Sequence, residues 1–565
     1  MAVPRDTKIV DLLRVRAFDD RIGLLFEEES WTWREVVREM HLRARMLLER
    51  RPPGPFHVGV LLDNGPEFTF LLGAAALAGA VVVGLNPTRR GAELERDIRH
   101  TSCGLLISEA KHRPLLDEID HGITAEHLFF VDDEDWPAAL AASAGSHLPE
   151  QMAGKRAPWV LVFTSGTTGH PKAAIGSQER LVLSARGLVE RRHVTARDVI
   201  YQTMPLFHSN AQNAWAATLI SGATLALRRR FSASGFLPDV RRFGATLFNY
   251  VGKPLSYILA TPEEPGDDEN PLRLAYGNEA TPHDLDRFAK RFGCEVRDSY
   301  GSTEGGITIV RSEDTPPSAL GRGQAGTVIL DPATGRECPP AEIDADGRIR
   351  NAEQAIGEIA NREVVRNFEG YWNNAEADQE RTRDGVYWSG DLGYRDPAGF
   401  LYFAGRGDDW MRIDGENIAT APIERILTRH PDIALAAIYP VPDHLVGDQA
   451  MAAIVLENGR EFDARAFTTF LAEQRDLGTK AAPLYIRTAA RLASTETHKI
   501  LKRVLRRECW ECDDPVWRRE ADGSFRLLAS TDVGEIRARF RARDREALLD
   551  QRAAVPAAPR ETEAG

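Results

Sequence analysis

Short apolar runs alternate with helical patterns along most of the first 400 residues. Residues 57–62, 81–83 and 104–107 are apolar runs, and helical periodicity lies between them over residues 67–77 and 93–100. A chain that alternates in this way favours parallel sheets covered by helices on both faces. The predicted fold class is therefore α/β, with a large N-terminal domain of parallel-rich sheets.

The pattern changes twice further along the chain. Residues 325–357 combine short strand-like runs with turn sequences, which is typical of a small all-β subdomain. A smaller, mobile α+β domain is predicted beyond a glycine-rich segment. The predicted organisation is an N-terminal domain over 1–404, a hinge at 405–409, a C-terminal domain over 410–540, and a charged helix end with a frayed tail over 541–565.

Charge and cysteine content restrict the partners and the compartment. The 565 residues contain 71 Lys and Arg against 84 Asp and Glu, a formal net charge of −13, which disfavours nucleic-acid binding. Five cysteines are too few for a disulfide framework, so we expect a reducing compartment and a cytoplasmic location. Residues 68–85 carry no charge, but their glycines favour a buried helix, a turn at Gly79 and a short strand over a membrane span. Peripheral membrane contact and a homodimer stay open.

A buried strand over residues 159–163 runs into a loop of unusual composition. Residues 164–172 contain four hydroxyl side chains, two glycines and a lysine. Glycines let main-chain N–H groups approach phosphate oxygens, hydroxyls add donors, and a lysine supplies countercharge. Ala173 stands where a Walker A loop needs Ser or Thr, so a P-loop is excluded. An ordinary Gly/Thr-rich turn stays the alternative when the loop is considered alone. The candidate phosphate-binding residues are Thr164, Ser165, Gly166, Thr167, Thr168, Gly169 and Lys172.

This loop resembles the phosphate loop of the adenylate-forming superfamily, which includes acyl-CoA synthetases, luciferases and peptide-synthetase adenylation domains. Four further segments are similar to that superfamily's motifs and follow in the expected order: 300–305, 387–391, 405–417 and 495–502. The resemblance covers nearly the whole chain. It implies ATP and CoA as co-substrates and Mg²⁺ as the cofactor.

Residues 300–305 resemble the superfamily's second nucleotide motif. The aromatic face of Tyr300 can stack on adenine, and Thr303 can donate to a phosphate or acyl oxygen. Glu304 offers the carboxylate that Mg²⁺ prefers, with Thr164 as the second predicted metal ligand. Without Thr303 beside it, Glu304 would be interpreted as a solvated surface acid.

Two other segments resemble nucleotide-binding motifs. Residues 275–280 stand where the family has its adenine-contacting loop, although Gly-Asn-Glu-Ala replaces the usual Gly-Gly-Ala or Gly-Glu-Ala. Asp391 can accept both ribose hydroxyls, with a turn residue as the alternative interpretation. The resemblance thus implies ATP contacts from Gly277, Asn278, Glu279, Tyr300, Gly301, Ser302, Asp391 and Arg406.

Lys499 is the predicted catalytic lysine. Adenylation brings a carboxylate to the α-phosphate of ATP, and two anions need positive charge between them. His498 stands where the family usually has glycine, as in the fatty-acid-transport and very-long-chain branch. The basic residues that follow would by themselves suggest a surface lysine. His208, in a segment that resembles the aromatic motif beside the acyl substrate, and Thr303 complete the predicted catalytic set.

The remaining assignments follow from the resemblance alone. Asp408 occupies the hinge position about which the small domain would rotate between half-reactions. Gly415 would line the CoA tunnel, with a hairpin turn as its alternative role. Family placement puts Gly222, Val251 and Gly252 in the acyl pocket.

Residues 407–420 are most similar to the fatty-acid-transport and very-long-chain branch, and to actinobacterial ligases for long fatty acids or steroid side-chain carboxylates. The implied function is an acyl-CoA synthetase: a carboxylic acid and ATP give acyl-AMP and pyrophosphate, and CoA then gives the thioester and AMP. Three alternatives stay open. They are a ligase that loads a carrier-protein thiol, a luciferase-type monooxygenase, and a fatty-acid binding or uptake protein with weak ligase activity.

Overall fold

The structure is a computed structural model, and the chain forms two compact units. The first comprises residues 1–280, 285–308 and 363–387, and the second comprises 281–284, 309–362 and 388–565. The residues described are 7–145, 147–148, 154–164, 172–252, 254–278, 280, 282–345, 349–363, 367–406, 410–413, 416–445, 447–474, 476–477, 481–494, 500–543 and 545–550. The predicted hinge residues 407–409 lie outside them, so the predicted domain boundaries stay predictions.

The first unit contains a six-stranded sheet in the order β6-β5-β3-β4-β7-β8, in which every neighbouring pair is parallel except the antiparallel pair β7–β8. Its strands are β3 (His57–Leu61), β4 (Val81–Gly84), β5 (Leu105–Ser108), β6 (Leu128–Phe130), β7 (Pro158–Thr164) and β8 (Lys172–Ser177). Its connecting helices are α3 (Pro66–Ala78), α4 (Gly91–His100), α5 (Arg113–Asp117) and α6 (Asp135–Ala142). The predicted alternation of strands and helices is confirmed here.

A second sheet of the first unit has the order β13-β12-β11-β9-β10-β1-β2, in which every neighbouring pair is parallel except the antiparallel pair β1–β2. Its strands are β1 (Ile22–Phe26), β2 (Glu29–Thr32), β9 (Val199–Gln202), β10 (Thr224–Leu227), β11 (Leu247–Val251), β12 (Leu274–Asn278) and β13 (Glu295–Gly301). The unit also contains α1 (Ile9–Arg16), α2 (Trp33–Glu49), α7 (Gln178–Arg192), α8 (Ser209–Ser221), α9 (Phe236–Phe243), α10 (Pro254–Leu259), α13 (Ala375–Arg381) and β18 (Thr382–Arg383), and most of α11 (Pro282–Phe292).

Helix α3 lies in the centre of the main core. Every residue from Phe68 to Ala78 is buried, Pro66 begins the helix, and Gly79 ends it in the left-handed conformation with φ +68°. Strand β4 follows immediately, so the uncharged segment is a buried helix, a turn and a strand, as predicted. In the described part of the chain no helix is long and apolar enough to cross a bilayer.

The second unit contains a sheet with the order β16-β17-β19-β20, in which the pairs β16–β17 and β19–β20 are antiparallel. It also contains a β21–β22 hairpin and a mixed sheet with the order β23-β24-β25-β26-β27. Its strands are β14 (Thr308–Val310), β15 (Arg322–Gly323), β16 (Thr327–Leu330), β17 (Gly357–Asn361), β19 (Val386–Arg395), β20 (Leu401–Arg406), β21 (Trp410–Ile413), β22 (Glu416–Ala419), β23 (Ile433–Pro442), β24 (Asp448–Leu456), β25 (Tyr485–Thr488), β26 (Val516–Arg519) and β27 (Phe525–Leu527). Its helices are α12 (Ala352–Ala355), α14 (Thr420–Leu427), α15 (Ala464–Glu473), α16 (Lys502–Glu508), α17 (Ser530–Arg541) and α18 (Ala547–Asp550). The β14 and β19 segments each continue from one unit into the other.

Candidate active site

The carboxyl ends of β11 and β12 bring predicted acyl-pocket and adenine-contacting residues together. Val251 pairs with Asn278 across the two strands. The main-chain N–H of Gly252 donates to the Asn278 carbonyl oxygen at 2.9 Å. Ligands of open parallel sheets bind outside this edge of the strands, and the ligand contacts of these residues stay predictions.

Gly277 tolerates no side chain. A Cβ atom there would lie 2.1 Å from the carbonyl oxygen of Tyr250 and 2.6 Å from its ring. The Tyr250 ring is itself held, because its hydroxyl donates to Asp298 at 3.1 Å. Ser299 donates to the Gly277 carbonyl oxygen at 3.2 Å. Close packing of backbone and ring therefore explains the glycine, independently of any ligand.

The next strand, β13, ends in Tyr300 and Gly301 and leads into a tight turn. The Gly305 N–H donates to the Ser302 carbonyl oxygen at 3.0 Å, and Gly305 has φ +73°, a conformation that favours glycine. The turn presents Thr303 and Glu304, the two residues to which the sequence assigned phosphate and metal contacts.

Thr303 is joined directly to the start of α8. The Ser209 hydroxyl donates to the Thr303 hydroxyl oxygen at 3.1 Å. Ser209 is the first residue of α8, and half-buried His208 immediately precedes it with its ring against Phe207, 4.5 Å between ring centroids. The predicted acyl-side motif and the predicted nucleotide motif are therefore neighbours in the structure.

Buried amides hold the loop that leads to His208. Asn64 donates to the Met204 carbonyl oxygen at 2.9 Å and accepts from the Leu206 N–H at 2.8 Å. Gln212 donates to the Leu206 carbonyl oxygen at 3.1 Å. Satisfied buried polar groups fix a loop in one conformation. Sequence reasoning missed these amides because Asn64 lies on a distant segment of the chain.

Glu304 is buried, with 7% of its surface exposed. The Tyr371 hydroxyl donates to its Oε1 at 2.8 Å, and the Arg381 Nε donates to the Tyr371 hydroxyl oxygen at 3.2 Å. Burial and the charge of Glu304 raise the pKa of Tyr371, so the phenol stays protonated and keeps its donor. The sequence motif marks Glu304 but neither Tyr371 nor Arg381.

Arg180 holds the main chain of the same turn. Its Nη1 donates to the carbonyl oxygens of Thr303 at 3.1 Å and Glu304 at 2.8 Å. Its Nε lies 3.4 Å from the Glu369 carboxylate, which also accepts from the N–H and hydroxyl of Ser177 at 2.7 and 2.5 Å. No local sequence signal marks Arg180, because its partners are more than 100 residues away.

The candidate phosphate loop begins and ends at paired strand residues. Thr164 pairs with Lys172 across β7 and β8, and its hydroxyl donates to the Lys172 carbonyl oxygen at 3.4 Å. The Lys172 side chain is buried, and its ammonium donates to Glu380 at 2.7 Å, which lowers the pKa of that carboxyl. The rest of the predicted loop lies outside the described residues: Ser165, Gly166, Thr167, Thr168 and Gly169.

The second unit brings the two predicted ribose residues together. Asp391 on β19 is the register partner of Arg406 on β20. The Asp391 N–H donates to the Ser389 hydroxyl at 3.0 Å. Four further predicted residues lie outside the described part of the chain: Glu279, Asp408, Gly415 and Lys499.

Two family models match the chain. The one described as AMP-binding enzyme matches residues 13–372, and the one described as AMP-binding enzyme C-terminal domain matches residues 422–499. The chain belongs to the AMP-binding enzyme family. The first match includes the Thr303–Glu304 turn and the loop after β7, so the resemblance drawn from the motifs is confirmed.

Two relatives that match most of the chain are named as an acyl-CoA synthetase and a CoA ligase. The chain is 46% identical to the steroid-22-oyl-CoA synthetase of Rhodococcus jostii, over 96% of this chain and 99% of that protein. It is 48% identical to the medium/long-chain-fatty-acid–CoA ligase FadD17 of Mycobacterium tuberculosis, over 90% of this chain and 97% of that protein. The predicted enzyme class, an adenylate-forming acyl-CoA synthetase, is confirmed.

A solved structure supports the fold. The crystal structure of the anthranilate CoA ligase AuaEII in complex with anthranoyl-AMP matches with a TM-score of 0.77. Sequence identity is 21%, and the match covers 89% of this chain and 97% of that chain. The predicted α/β fold, with a large N-terminal part and a smaller C-terminal part, is that of adenylate-forming enzymes.

Gly222 does not join the other predicted acyl-pocket residues. It ends α8 with φ +77° and precedes the amino end of β10, whereas Val251 and Gly252 follow the carboxyl end of β11. Because His208 precedes the first residue of the 13-residue helix, Gly222 lies about 20 Å from it along the helix axis. A Cβ atom on Gly222 would lie 2.7 Å from the Arg16 guanidinium. Gly222 thus lies at the other end of α8 from His208, and its place in the acyl pocket stays a prediction.

A second cluster of titratable groups follows β3 and β5. The Lys111 ammonium lies 2.8 Å from the Asp63 carboxylate and 3.0 Å from that of Glu109, and Arg230 lies 3.0 Å from Asp63. His112 is 3.7–3.8 Å from both carboxylates. Basic side chains already neutralise these acids, so the cluster is an ion-pair network and offers a poor metal site.

Proposed function

We propose that the chain converts a large apolar carboxylic acid to its CoA thioester through an acyl-adenylate. The observation that carries this proposal is the 3.1 Å hydrogen bond between the hydroxyls of Ser209 and Thr303. It joins the segment assigned to the acid with the segment assigned to the phosphates. A carboxylate oxygen and an α-phosphorus must meet at such a junction for adenylation to occur.

The proposed roles combine hydrogen-bond donors with a positively charged side chain. Thr303 donates to the α-phosphate or to the acyl oxygen, and His208 orients the carboxylate. The carboxylate oxygen then attacks the α-phosphorus and pyrophosphate leaves. Lys499 supplies the positive charge that two approaching anions require. Asp391 and Arg406 bind the ribose, and Gly277, Asn278 and Tyr300 contact the adenine.

Glu304 fits the proposed magnesium role. Mg²⁺ prefers hard oxygen ligands, and the buried Glu304 carboxylate is such a ligand, held by Tyr371 through Oε1. Thr164 is the second proposed ligand. When bound, Mg²⁺ neutralises charge on the ATP phosphates. The protein's own contribution is to hold Glu304 and Thr303 on one short turn.

The proposed substrate is a steroid with a carboxylated side chain, and a medium- or long-chain fatty acid is the second candidate. The first is favoured by the relative that matches 96% of this chain, and the second by the relative with 48% identity. Apolar pockets discriminate between such acids weakly, by about 1–3 kcal/mol per methylene. A panel of acids is therefore needed to choose between them.

The test is an assay of the full chain with ATP, Mg²⁺, CoA and a panel of steroid and fatty acids. We expect AMP formation that depends on the acid, with the highest kcat/KM for a steroid side-chain acid. A higher kcat/KM for fatty acids would favour the second candidate. A parallel arm offers a holo-carrier protein in place of CoA. Transfer to the carrier alone, or no AMP with any acid, would overturn the proposal.

We also propose a cytoplasmic location. The five cysteines are all free thiols, which a reducing compartment maintains. Subcellular fractionation tests this, because recovery in the membrane fraction at low and high salt would contradict it.

A further inference from the structure

Glu304 is a buried acid that needs an internal partner. A carboxylate removed from water is unfavourable unless it is hydrogen-bonded or paired. Tyr371 supplies one bond, to Oε1 at 2.8 Å. Tyr371 comes from a segment that sequence analysis did not assign to the site, 67 residues further along the chain.

Arg381 determines where the Tyr371 proton points. A guanidinium only donates, and the Arg381 Nε donates to the Tyr371 hydroxyl oxygen at 3.2 Å. The single phenolic proton is therefore directed to Glu304. The backbone of Tyr371 is anchored as well, because its N–H donates to Asp378 Oδ1 at 2.7 Å. The orientation of the Glu304 carboxylate is thus set by a fixed chain of two hydrogen bonds.

Arg180 fixes the backbone beneath the same carboxylate. One guanidinium nitrogen donates to the carbonyl oxygens of two consecutive residues, Thr303 and Glu304. The Glu369 carboxylate, 3.4 Å from the Nε atom, balances its charge. The guanidinium uses two nitrogens at once, Nη1 for the carbonyl oxygens and Nε for Glu369, whereas a lysine has a single nitrogen.

We propose that Tyr371 and Arg180 are positioning residues for Glu304. Tyr371 aims the carboxylate and Arg180 holds its main chain, so that the second carboxylate oxygen is presented to the metal ion of Mg²⁺·ATP. The inference rests on the proposed function, since it assumes that Glu304 serves the adenylation step. It predicts that substitution of either residue changes the magnesium requirement and the rate of adenylation, but not the rate of thioester formation.

The first test compares Tyr371→Phe with Tyr201→Phe. Tyr201 is a matched control because its buried hydroxyl also donates to a carboxylate, that of Asp239, at 2.7 Å. In Tyr371→Phe we expect the Mg²⁺ concentration for half-maximal AMP formation to rise at least fivefold. Thioester formation from supplied acyl-AMP should stay within twofold. Tyr201→Phe should change neither quantity.

The second test uses Arg180→Lys, which keeps the charge and removes the two-carbonyl geometry. We expect the same rise in magnesium requirement. A parallel fall of both half-reactions with an unchanged Mg²⁺ requirement, in Tyr371→Phe and in Arg180→Lys, would show a structural role only and overturn the inference.

Calorimetric binding of Mg²⁺·ATP to the full-length variants needs no acid substrate. This measurement can therefore be interpreted even if no acid in the panel is a substrate and the proposal of acyl-CoA synthesis is wrong. We expect at least fivefold weaker binding in Tyr371→Phe than in the unmodified chain. The inference would be overturned if Tyr371→Phe bound Mg²⁺·ATP as tightly as the unmodified chain does. It would also be overturned if the unmodified chain did not bind Mg²⁺·ATP.

Discussion

The two parallel sheets of the first unit end in polar edges of different character. After β3 and β5, the carboxylates of Asp63 and Glu109 are bound by the ammonium of Lys111. After β13, the buried carboxylate of Glu304 instead accepts a hydrogen bond from the neutral phenol of Tyr371. Both edges have the topology in which α/β proteins place ligands.

The difference shows that topology alone does not make a binding site. Acids that are already paired with basic side chains contribute to stability and have little charge left for a ligand. The direct hydrogen-bond donor to Glu304 is a neutral phenol, although the charges of Arg180 and Arg381 also interact with the carboxylate. We expect substitutions of the two acids to have opposite consequences: loss of stability for Asp63, and loss of activity for Glu304.

The largest effect is expected from Lys499→Ala. Removing the charge of this proposed catalytic lysine should lower adenylation by about 10³-fold or more. Thioester formation from supplied acyl-AMP should be retained, as measured by separate half-reaction assays. The control is Lys502→Ala. The ammonium of Lys502 donates to the Thr420 hydroxyl at 3.0 Å and lies 2.9 Å from the Glu424 carboxylate. Equal loss of both half-reactions in Lys499→Ala would show that its role is wrongly assigned.

Glu304→Gln should lower adenylation by about 10²-fold, because it removes a charge on which the metal contact depends. The side chain keeps its shape and can still accept from Tyr371. We therefore expect the thermal midpoint of unfolding, measured by circular dichroism, to change by no more than about 2 °C. A fully active variant would remove Glu304 from the proposed site.

Gly277→Ala should perturb the second edge through packing. The new Cβ would have to avoid a carbonyl oxygen 2.1 Å away, which requires β12 to shift from β11. Overpacking of this kind costs about 1–3 kcal/mol. Denaturant unfolding should reveal the loss, and ATP affinity should fall with it. Unchanged stability would mean that the strands separate more easily than the structure indicates.

Asp63→Asn should have the smallest effect on activity, with kcat/KM within about twofold of the unmodified chain. Its unfolding free energy should fall by about 1–3 kcal/mol, because the charged hydrogen bonds of Asp63 with Lys111 and Arg230 are lost. A reduced kcat/KM in the folded variant would contradict the distinction between the two edges.

The same variant has a predicted pH signature. Burial alone would raise the pKa of Asp63, but His112, Lys111 and Arg230 outweigh burial and hold that pKa well below its usual range. The ionised carboxylate therefore stabilises the fold above about pH 4, and this contribution is lost as pH falls further. Acid unfolding curves of Asp63→Asn and the unmodified chain should converge below that pH. A constant difference would contradict the assignment.

Much of the first unit could be predicted from local patterns. The apolar runs that became β3, β4 and β5, and the buried helix α3 between glycine-marked ends, are confirmed because side-chain periodicity and turn residues act over a few positions. Gly222 ends α8 in the left-handed conformation with φ +77°, which by itself explains a glycine at this position, so its assignment to the acyl pocket rests on the resemblance alone.

The sequence by itself determined the alternating α/β layout, the reaction class and the short motifs, since each depends on residue type and order within a short segment. Only the tertiary structure decided which motifs meet and what holds them. The contacts of Glu304 with Tyr371, and of its main chain with Arg180, join segments 67 and 124 residues apart. Such contacts depend on how the whole chain packs, and no periodicity or motif encodes them.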